Sequence, residues 1–427
     1  MIEILIRYLG IKTKMLEHIK EEIDVISNKG DTILDLFAGS NIVSQYLMDD
    51  YKVYTNDIQY YSYIVSNATV CNKYHEFLTI DDILKDAVFA TKYNALYNLF
   101  EKTIKYEELV FGKIKDGVCS IEELREFKNY FDNYPTFAKP HFAKEEFSGL
   151  DKYFTEEYYS NSKLNGEFNL FTCVYSIPYF STKQAIFIDS YICWLNSIKD
   201  KIDFNEYCVY LSCLIYALGM TVTSIGDHFA QPQKFKIGEG KDKYTKELMK
   251  IAYKKDLNYH SLIAEKLEEF KNIKNGENNK AFNMEALTLL KSSAINDVDI
   301  IYMDPPYTNA HYSRFYHILE TLCKYDYPVI NFNAKYRENR YQSSFCIKSK
   351  AKKEFELMVQ LCWEKKKKII ISYSDTEQCL ITKKEILSVC EKFYNKVTLK
   401  DYDYLYRNFG QKPRKVSGNE LLIICNI

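Results

Sequence analysis

The chain predicts an α/β fold: a mostly parallel sheet ending in an antiparallel C-terminal hairpin, opened in the middle by a large, mainly helical insertion. Three observations carry this. The first 70 residues alternate short apolar runs with amphipathic stretches, as strand–helix units do, and a second set of such units occupies 281–427. Between them, over 71–280, the rhythm stops for roughly 200 residues, a domain's length. With 427 residues and 47% hydrophobic content, the chain can bury the core that two domains, or one domain with a large insertion, require.

Taken in order, Met15, Leu16, Ile19, Ile23 and Ile26 fall at helical spacing, so a glycine-bearing turn at Gly10 enters an amphipathic helix over 14–26. Lys12, near that helix start, can hold a carboxylate or phosphate or stand as a solvated lysine. Thr32 to Phe37 reads as a buried strand. Ala38, Gly39 and Ser40 then turn into a helix from Ile42, the kind of turn that lets a ligand approach backbone closely. A second strand, Lys52 to Asn56, ends at Asp57, roughly 20 residues beyond the turn, where a carboxylate can take both hydroxyls of a ribose. A pyrophosphate cofactor would need more glycines, and Asn41 stands where another is usual, which favours a nucleoside without phosphates.

The insertion has two halves. Glu76 to Leu170 holds 18 Asp/Glu against 12 Lys/Arg, a solvated helical face and no surface for nucleic acid. Thr182 to Ile198 and Asn205 to Thr223 read as apolar helices. A polar loop follows, with His228, Gln231 and Lys234, and Lys234 to Lys255 carries eight lysines against Glu239, Asp242 and Glu247. Amide and imidazole groups beside a basic helix can read base edges and hold phosphates, and an ordinary loop before a surface helix explains them as well.

The second set of units centres on Asp304, Pro305, Pro306 and Tyr307, after the apolar run Val298 to Met303. A strand tip is where α/β enzymes keep their chemistry. Two prolines remove two backbone donors and fix their own carbonyls, so an acid, rigid acceptors and an aromatic ring face one small space. Such a space suits a flat molecule with an amino group, adenine above all: Asp304 and the Pro305 carbonyl each accept one amine hydrogen, and Tyr307 stacks on the ring. Glu285 precedes a short helix near another strand tip. Beyond Tyr307 come Arg314 and a stretch over 335–353 with Lys335, Arg337, Arg340, Lys348, Lys350, Lys352 and Lys353 against Glu338, interleaved with Tyr336 and Tyr341. Basic and aromatic residues mixed in this way suit a phosphate backbone with a base drawn out of it. Another strand ends near Asp375, and Lys396 to Tyr406 with Glu420 to Ile427 form the terminal hairpin, whose turn carries Arg407, Lys412, Arg414 and Lys415.

Composition limits the alternatives. A net charge of −1 excludes a uniformly basic nucleic-acid coat, so such contacts must be local. Twelve cysteines show no C-x2-C pair and read as reduced, mostly buried thiols of a cytoplasm, with no metal site evident. Met1 to Gly10 lacks a signal-peptide pattern, and Tyr207 to Val222 is too short for a membrane span.

Arg-Tyr-Leu-Gly-Ile-Lys at 7–12, Leu-Asp-Leu-Phe-Ala-Gly-Ser at 34–40, Thr-Asn-Asp at 55–57 and Asp-Pro-Pro-Tyr at 304–307, in that order, resemble the α-order, Dam-like family of DNA adenine-N6 methyltransferases. The resemblance covers about half the chain by length. It implies a Rossmann-like methyltransferase domain that uses S-adenosyl-L-methionine. Tyr8 and Lys12 would contact that cofactor, Phe37 and Gly39 would line its pocket with Asp35, Ser40 and Glu285 beside them, and Asp57 would bind its ribose. Asp304 would lie between methyl donor and target amine. Ser-Ile-Gly-Asp-His-Phe-Ala-Gln-Pro at 224–232, and Tyr-Phe-Ser-Thr-Lys-Gln-Ala-Ile-Phe-Ile-Asp at 179–189, are similar to segments in the insertions of type IIS modification methylases. The expected partner is double-stranded DNA, met either alongside a cognate restriction endonuclease encoded elsewhere or as an orphan methylase acting alone, in the cytoplasm of a bacterium or encoded by a phage, and away from membranes. Cytosine N4, RNA or a protein amide as acceptor, or a silent DNA-binding module, stay open as alternatives.

Overall fold

The computed structural model describes residues 5–6, 8–74, 76–273, 276–331, 334–407 and 415–427. Arg7, Lys412 and Arg414 lie outside the described residues, as do the side chains of Arg407 and Lys415. Two compact units emerge: Met1–His75 with Glu269–Tyr316 and Arg340–Ile427, and Glu76–Glu268 with His317–Asn339.

Among the described residues the chain forms, in order, strands β1 (Thr32–Asp35), β2 (Lys52–Asn56), β3 (Lys280–Phe282), β4 (Ile300–Met303), β5 (Ile330–Asn331), β6 (Tyr336–Arg337), β7 (Lys368–Asp375), β8 (Lys396–Arg407) and β9 (Lys415–Asn426). Seven of them build the sheet of the first unit in the order β3-β2-β1-β4-β7-β9-β8. Parallel pairing runs from β3 to β7, with Leu34 opposite Tyr54 and Ile301 and with Met303 opposite Ile371. β9 then pairs antiparallel with both β7 and β8. Every residue of β1 and β4 is buried, as befits a parallel strand covered on both faces.

The covers follow from helical periodicity. On one face the helix Leu16–Ile26 turns Leu16, Ile19, Ile23 and Ile26 toward Ile33, Val53, Ile300 and Ile370. On the other, the helix Lys348–Glu364 packs Ala351, Phe355, Met358 and Cys362 into a core with Leu34, Ile301, Met303 and Ile371. Truncating Phe355, fully buried in that core, would cost about 3–5 kcal/mol. The chain moves outward from β1 through β2 to β3, then returns to β4 on the opposite flank of β1. That reversal opens a crevice beyond the carboxyl ends of β1 and β4, and Asp304 directly follows β4.

The second unit is mainly helical. Its helices Ala87–Lys115 and Lys246–Asp256 enclose, with Phe127, Tyr130, Phe147 and Phe154, an aromatic core. The helix Thr182–Ile198 begins with a capping box, Ser181 and Gln184 each bonding the other's main-chain N–H. Residues 317–339, which the sequence placed in the catalytic part, pack instead with this unit. Asp189 is fully buried there, accepting N–H from Phe171 (2.9 Å) and Thr172 (2.8 Å) and the Tyr325 hydroxyl at 2.6 Å. All twelve cysteines are free thiols and ten are buried. Among the described residues no helix is long and apolar enough to cross a membrane, and no cluster of metal-ligating side chains occurs.

Candidate active site

The first glycine turn is built for close approach. Gly39 has φ +50°, and a Cβ there would stand 2.8 Å from the Tyr8 ring. That ring is stacked against Tyr316 (4.9 Å between centroids) and Tyr312 (5.4 Å), and burial raises its pKa. The residue after Ser40 is left-handed too: Asn41 has φ 63°, a conformation asparagine tolerates better than most residues. Its amide donates to Ser62 O at 3.2 Å and accepts from the Ser66 hydroxyl at 2.5 Å, pinning the helix Tyr60–Thr69 to the turn. A side chain thus does here what a glycine could not.

Asp57, one residue beyond β2, accepts the Gly39 N–H at 2.9 Å on one oxygen and the Gln59 N–H at 2.8 Å on the other. A carboxylate oxygen can accept more than one donor. Asn283 supports the same turn by donating to Asp57 O (2.8 Å) and Ile58 O (3.0 Å).

Around these residues lies a cleft of about 780 Å³, its open mouth included, wholly within the first unit. Phe37, Ile58, Met284, Ala286 and Phe345 supply apolar wall; Asp57, Glu285 and Asp304 supply carboxylates. Among the described residues no lysine or arginine lines it. An acidic, half-apolar cleft repels a pyrophosphate and favours a nucleoside that bears a positive charge. Glu285 also caps the helix Ala286–Lys291, accepting the Thr288 N–H at 2.9 Å.

Four residues expected at the cofactor, Lys12, Asp35, Gly39 and Ser40, are not on the cleft wall. Asp35 is 1% exposed and takes the Ser44 hydroxyl at 2.7 Å, fastening the helix Ile42–Leu47 to β1; burial pushes its pKa up to about 7. Ser40 is buried in the turn. Lys12 is buried as well, but its ammonium serves the catalytic motif, 2.7 Å from Glu420 Oε1 and 3.2 Å from Asp304 Oδ1. Burial opposes that charge; Asp304 and Glu420 outweigh burial and hold its pKa well above the ordinary value.

Asp304 and Pro306 line the cleft, whereas Tyr307 does not. The Tyr307 ring packs edge-on against Tyr373 at 5.6 Å and lies 5.8 Å from the Lys12 ammonium. Pro305 is buried behind them. Burial, opposed by Lys12 and reinforced by Glu420, pushes the Asp304 carboxyl up to about 6. An acid on the cleft wall, with an aromatic ring off it, can serve a transfer between two substrates.

The comparisons with known proteins bear on which transfer. A family model described as D12 class N6 adenine-specific DNA methyltransferase matches residues 8–191 and 239–389. The chain belongs to this family. It is similar to modification methylase LlaI of Lactococcus lactis subsp. lactis (24% identical, covering 91% of this chain and 49% of that protein). It also resembles modification methylase StsI of Streptococcus sanguinis (23%; 91% and 46%) and type II methyltransferase M.FokI of Planomicrobium okeanokoites (25%; 96% and 50%). The chain spans about half the length of these relatives.

Of the side chains expected to meet DNA, the structure separates two groups. Gln231, Lys234, Arg314, Lys348 and Lys350 are exposed and Arg340 is half-buried. His228, Lys335 and Arg337 are internal, which corrects their reading as surface contacts. Gly226 (φ +78°) folds the loop back on His228, whose Nδ1 accepts the Ala230 N–H at 3.2 Å. Lys335 donates to Val174 O, and burial pushes its pKa down to about 8. Arg337 makes a two-pronged pair with Asp326 at 2.6 and 3.2 Å. In the basic helix, Lys254 and Lys255 are buried, donating to Val222 O (2.9 Å) and Ile177 O (2.7 Å). Sequence reasoning missed His311, Ser343, Phe345 and Cys346 on the cleft wall, and placed Tyr341, which is there too, among the DNA contacts. The run Ser343 to Cys346, polar but free of charge inside the basic stretch, was the available signal.

Proposed function

We propose that the protein transfers a methyl group from S-adenosyl-L-methionine to N6 of an adenine flipped out of a specific double-stranded DNA sequence. The observation that carries this is Asp304, held at the reversal point of the sheet, with the acidic cleft on one hand and Tyr307 outside it. The carboxylates and apolar wall of the cleft fit a nucleoside sulfonium, with Asp57 for the ribose and Phe37, Ile58 and Phe345 for the base. When bound, that cofactor supplies an electrophilic methyl on a positively charged sulfur.

Adenine N6 is a poor nucleophile because its lone pair is delocalised into the ring. Asp304 and the Pro305 carbonyl would accept its two hydrogens and so favour the nitrogen that becomes positive in the transition state. Extruding the base costs a few kcal/mol of unstacking, and stacking on Tyr307 returns roughly 1–3 kcal/mol. Lys348 and Lys350 stand at the start of a helix, where its dipole disfavours positive charge; phosphates are the fitting counter-ions. Gln231 and Lys234 lie in 192–238, the stretch between the two matched parts of the family model, and suit base-edge readout. The relatives' names, modification methylases, support a restriction endonuclease as functional partner.

The test is expression in a host that lacks adenine methylation, with N6-methyladenine mapped by single-molecule sequencing. One enriched sequence context that vanishes with Asp304→Ala is the expected result. No methylated adenine from folded protein that binds S-adenosyl-L-methionine would redirect the reading to cytosine N4, RNA or a protein amide.

A further inference from the structure

Glu420 takes no part in the reading above, yet it is a fully buried charge beside the catalytic motif. It sits on β9 opposite Ser374 of β7, followed by Leu421, Leu422, Ile423 and Ile424, which are all buried. A carboxylate in such a strand costs several kcal/mol unless it is paired. Its Oε1 meets the Lys12 ammonium at 2.7 Å and the Ser372 hydroxyl at 2.5 Å. Lys12 in turn stands 3.2 Å from Asp304 Oδ1. Three parts of the chain far apart in sequence therefore converge on one ammonium: the segment before the first helix, the end of β4, and β9.

The charges of this triad do not cancel. Two carboxylates and one ammonium leave one negative charge, and Asp304 is the member that keeps a fifth of its side-chain surface open (21%), while Lys12 and Glu420 are closed off (5% and 0%). With Lys12 paired to Asp304 alone, the pair would be neutral and the ammonium would compete with the target amine for the same carboxylate. The closer contact to Glu420 draws Lys12 inward. We propose that Glu420 is a positioning residue for methyl transfer: through Lys12 it holds one oxygen of Asp304 and leaves the net negative charge of the triad facing the target amine. This rests on the methyltransferase reading above. Among the described residues, the other titratable groups facing Asp304 include Asp35 of β1, Tyr302 of β4, and Tyr307 and Tyr312 beyond it. Burial raises the pKa of all three tyrosines and keeps them neutral.

The test compares wild type with Glu420→Gln, which keeps shape and removes the charge. Two readouts are needed: the Asp304 carboxyl titration in cofactor-free protein, by carbon-13 NMR of labelled aspartate assigned with Asp304→Asn, and the pH profile of single-turnover adenine methylation. Loss of a like charge lets Asp304 ionise more readily, so titration and acid limb should move together to lower pH by about 1 unit. The rate on the plateau should fall about tenfold or more as the net charge is lost. Should Glu420→Gln not fold, Ser372→Ala serves: Glu420 then draws Lys12 harder, and both curves should move to higher pH. An unshifted Asp304 titration, or a slower variant whose titration matches wild type, overturns the proposal. Wild-type protein that methylates no adenine overturns the enzymatic reading instead, and the NMR titration still decides the link between Glu420 and Asp304.

Discussion

Replacing Gly39 by alanine probes the cofactor cleft without touching a carboxylate. Two costs can be worked from the structure. The backbone there is left-handed, φ +50°, which an L-residue adopts at about 1–2 kcal/mol. The new Cβ would also lie 2.8, 2.9 and 3.0 Å from Tyr8 Cζ, Cε1 and Oη, so the ring must leave at least one of its stacks on Tyr312 and Tyr316, each worth about 0.5–1.5 kcal/mol. The total is about 1.5–3.5 kcal/mol of stability. Movement of the turn also weakens the bond from Gly39 N–H to Asp57, a charge-assisted contact worth about 1.5–3 kcal/mol. Affinity for S-adenosyl-L-methionine should therefore fall about tenfold or more. Gly30→Ala is the control: φ is +91° and nothing lies within 4 Å of its Cβ, so only the backbone cost applies. Urea unfolding measures the first effect and calorimetric titration with the cofactor the second. If Gly39→Ala matched Gly30→Ala in both, the account of the turn would be wrong.

Four further expectations concern the catalytic motif, the DNA contacts and a buried lysine. Asp304 must be ionised to accept from the amine, and its raised pKa of about 6 places the acid limb of kcat/KM there: activity is full above that pH and lost as pH falls through it. Tyr307→Ala should lower turnover and weaken binding of DNA carrying an unpaired adenine by roughly 1–3 kcal/mol, with cofactor affinity unchanged because Tyr307 is off the cleft wall; equal losses of both affinities would count against the two-sided arrangement. Lys348→Ala and Lys350→Ala should each reduce the salt dependence of DNA binding by about one counter-ion, whereas Lys335→Met should leave it alone. Lys335 has a depressed pKa, so the unfolded chain binds the extra proton between about 8 and the ordinary lysine value of 10.5. Stability should rise with pH across that window in wild type and lose that increment in Lys335→Met, measured by thermal unfolding.

What was readable in the sequence is what local chemistry fixes. The apolar run ending in Asp304, the turn at Gly39 and the acid at Asp57 each have a signature within ten residues, because a buried strand, a close approach and a strand-tip carboxylate each demand particular neighbours. The helix Thr182–Ile198 was legible as an apolar stretch, and the capping box that starts it is local too. Charge was the weaker guide. Lys335, Arg337, Lys254 and Lys255 look in sequence like Lys348 and Lys350, and only tertiary partners tell them apart: carbonyls of Val174, Val222 and Ile177 and the Asp326 carboxylate take the first four. Residues 317–339 misled the domain reading because their tie to the second unit runs through hydroxyls, Tyr325 to Asp189 and Tyr327 to Asn169. In a chain with 38 tyrosines such a hydroxyl carries no address.

Glu420 shows the limit most sharply. Within its own strand it reads as the first polar residue before an apolar run, a strand end like many others. Its meaning comes from Lys12, 408 positions away, which the sequence offered as a surface lysine, a cofactor contact or a holder of a carboxylate or phosphate, without saying which carboxylate. Neither half of the pair predicts the other, because a buried ion pair is specified by the sheet order that brings β9 beside β7 and β7 beside β4. The antiparallel hairpin that completes the sheet therefore does more than close an edge: it delivers the carboxylate that holds Lys12 against Asp304. Among the described residues the wall of the cleft draws nothing from β9, so on the proposal above that strand serves the site through the charge it places beside Lys12.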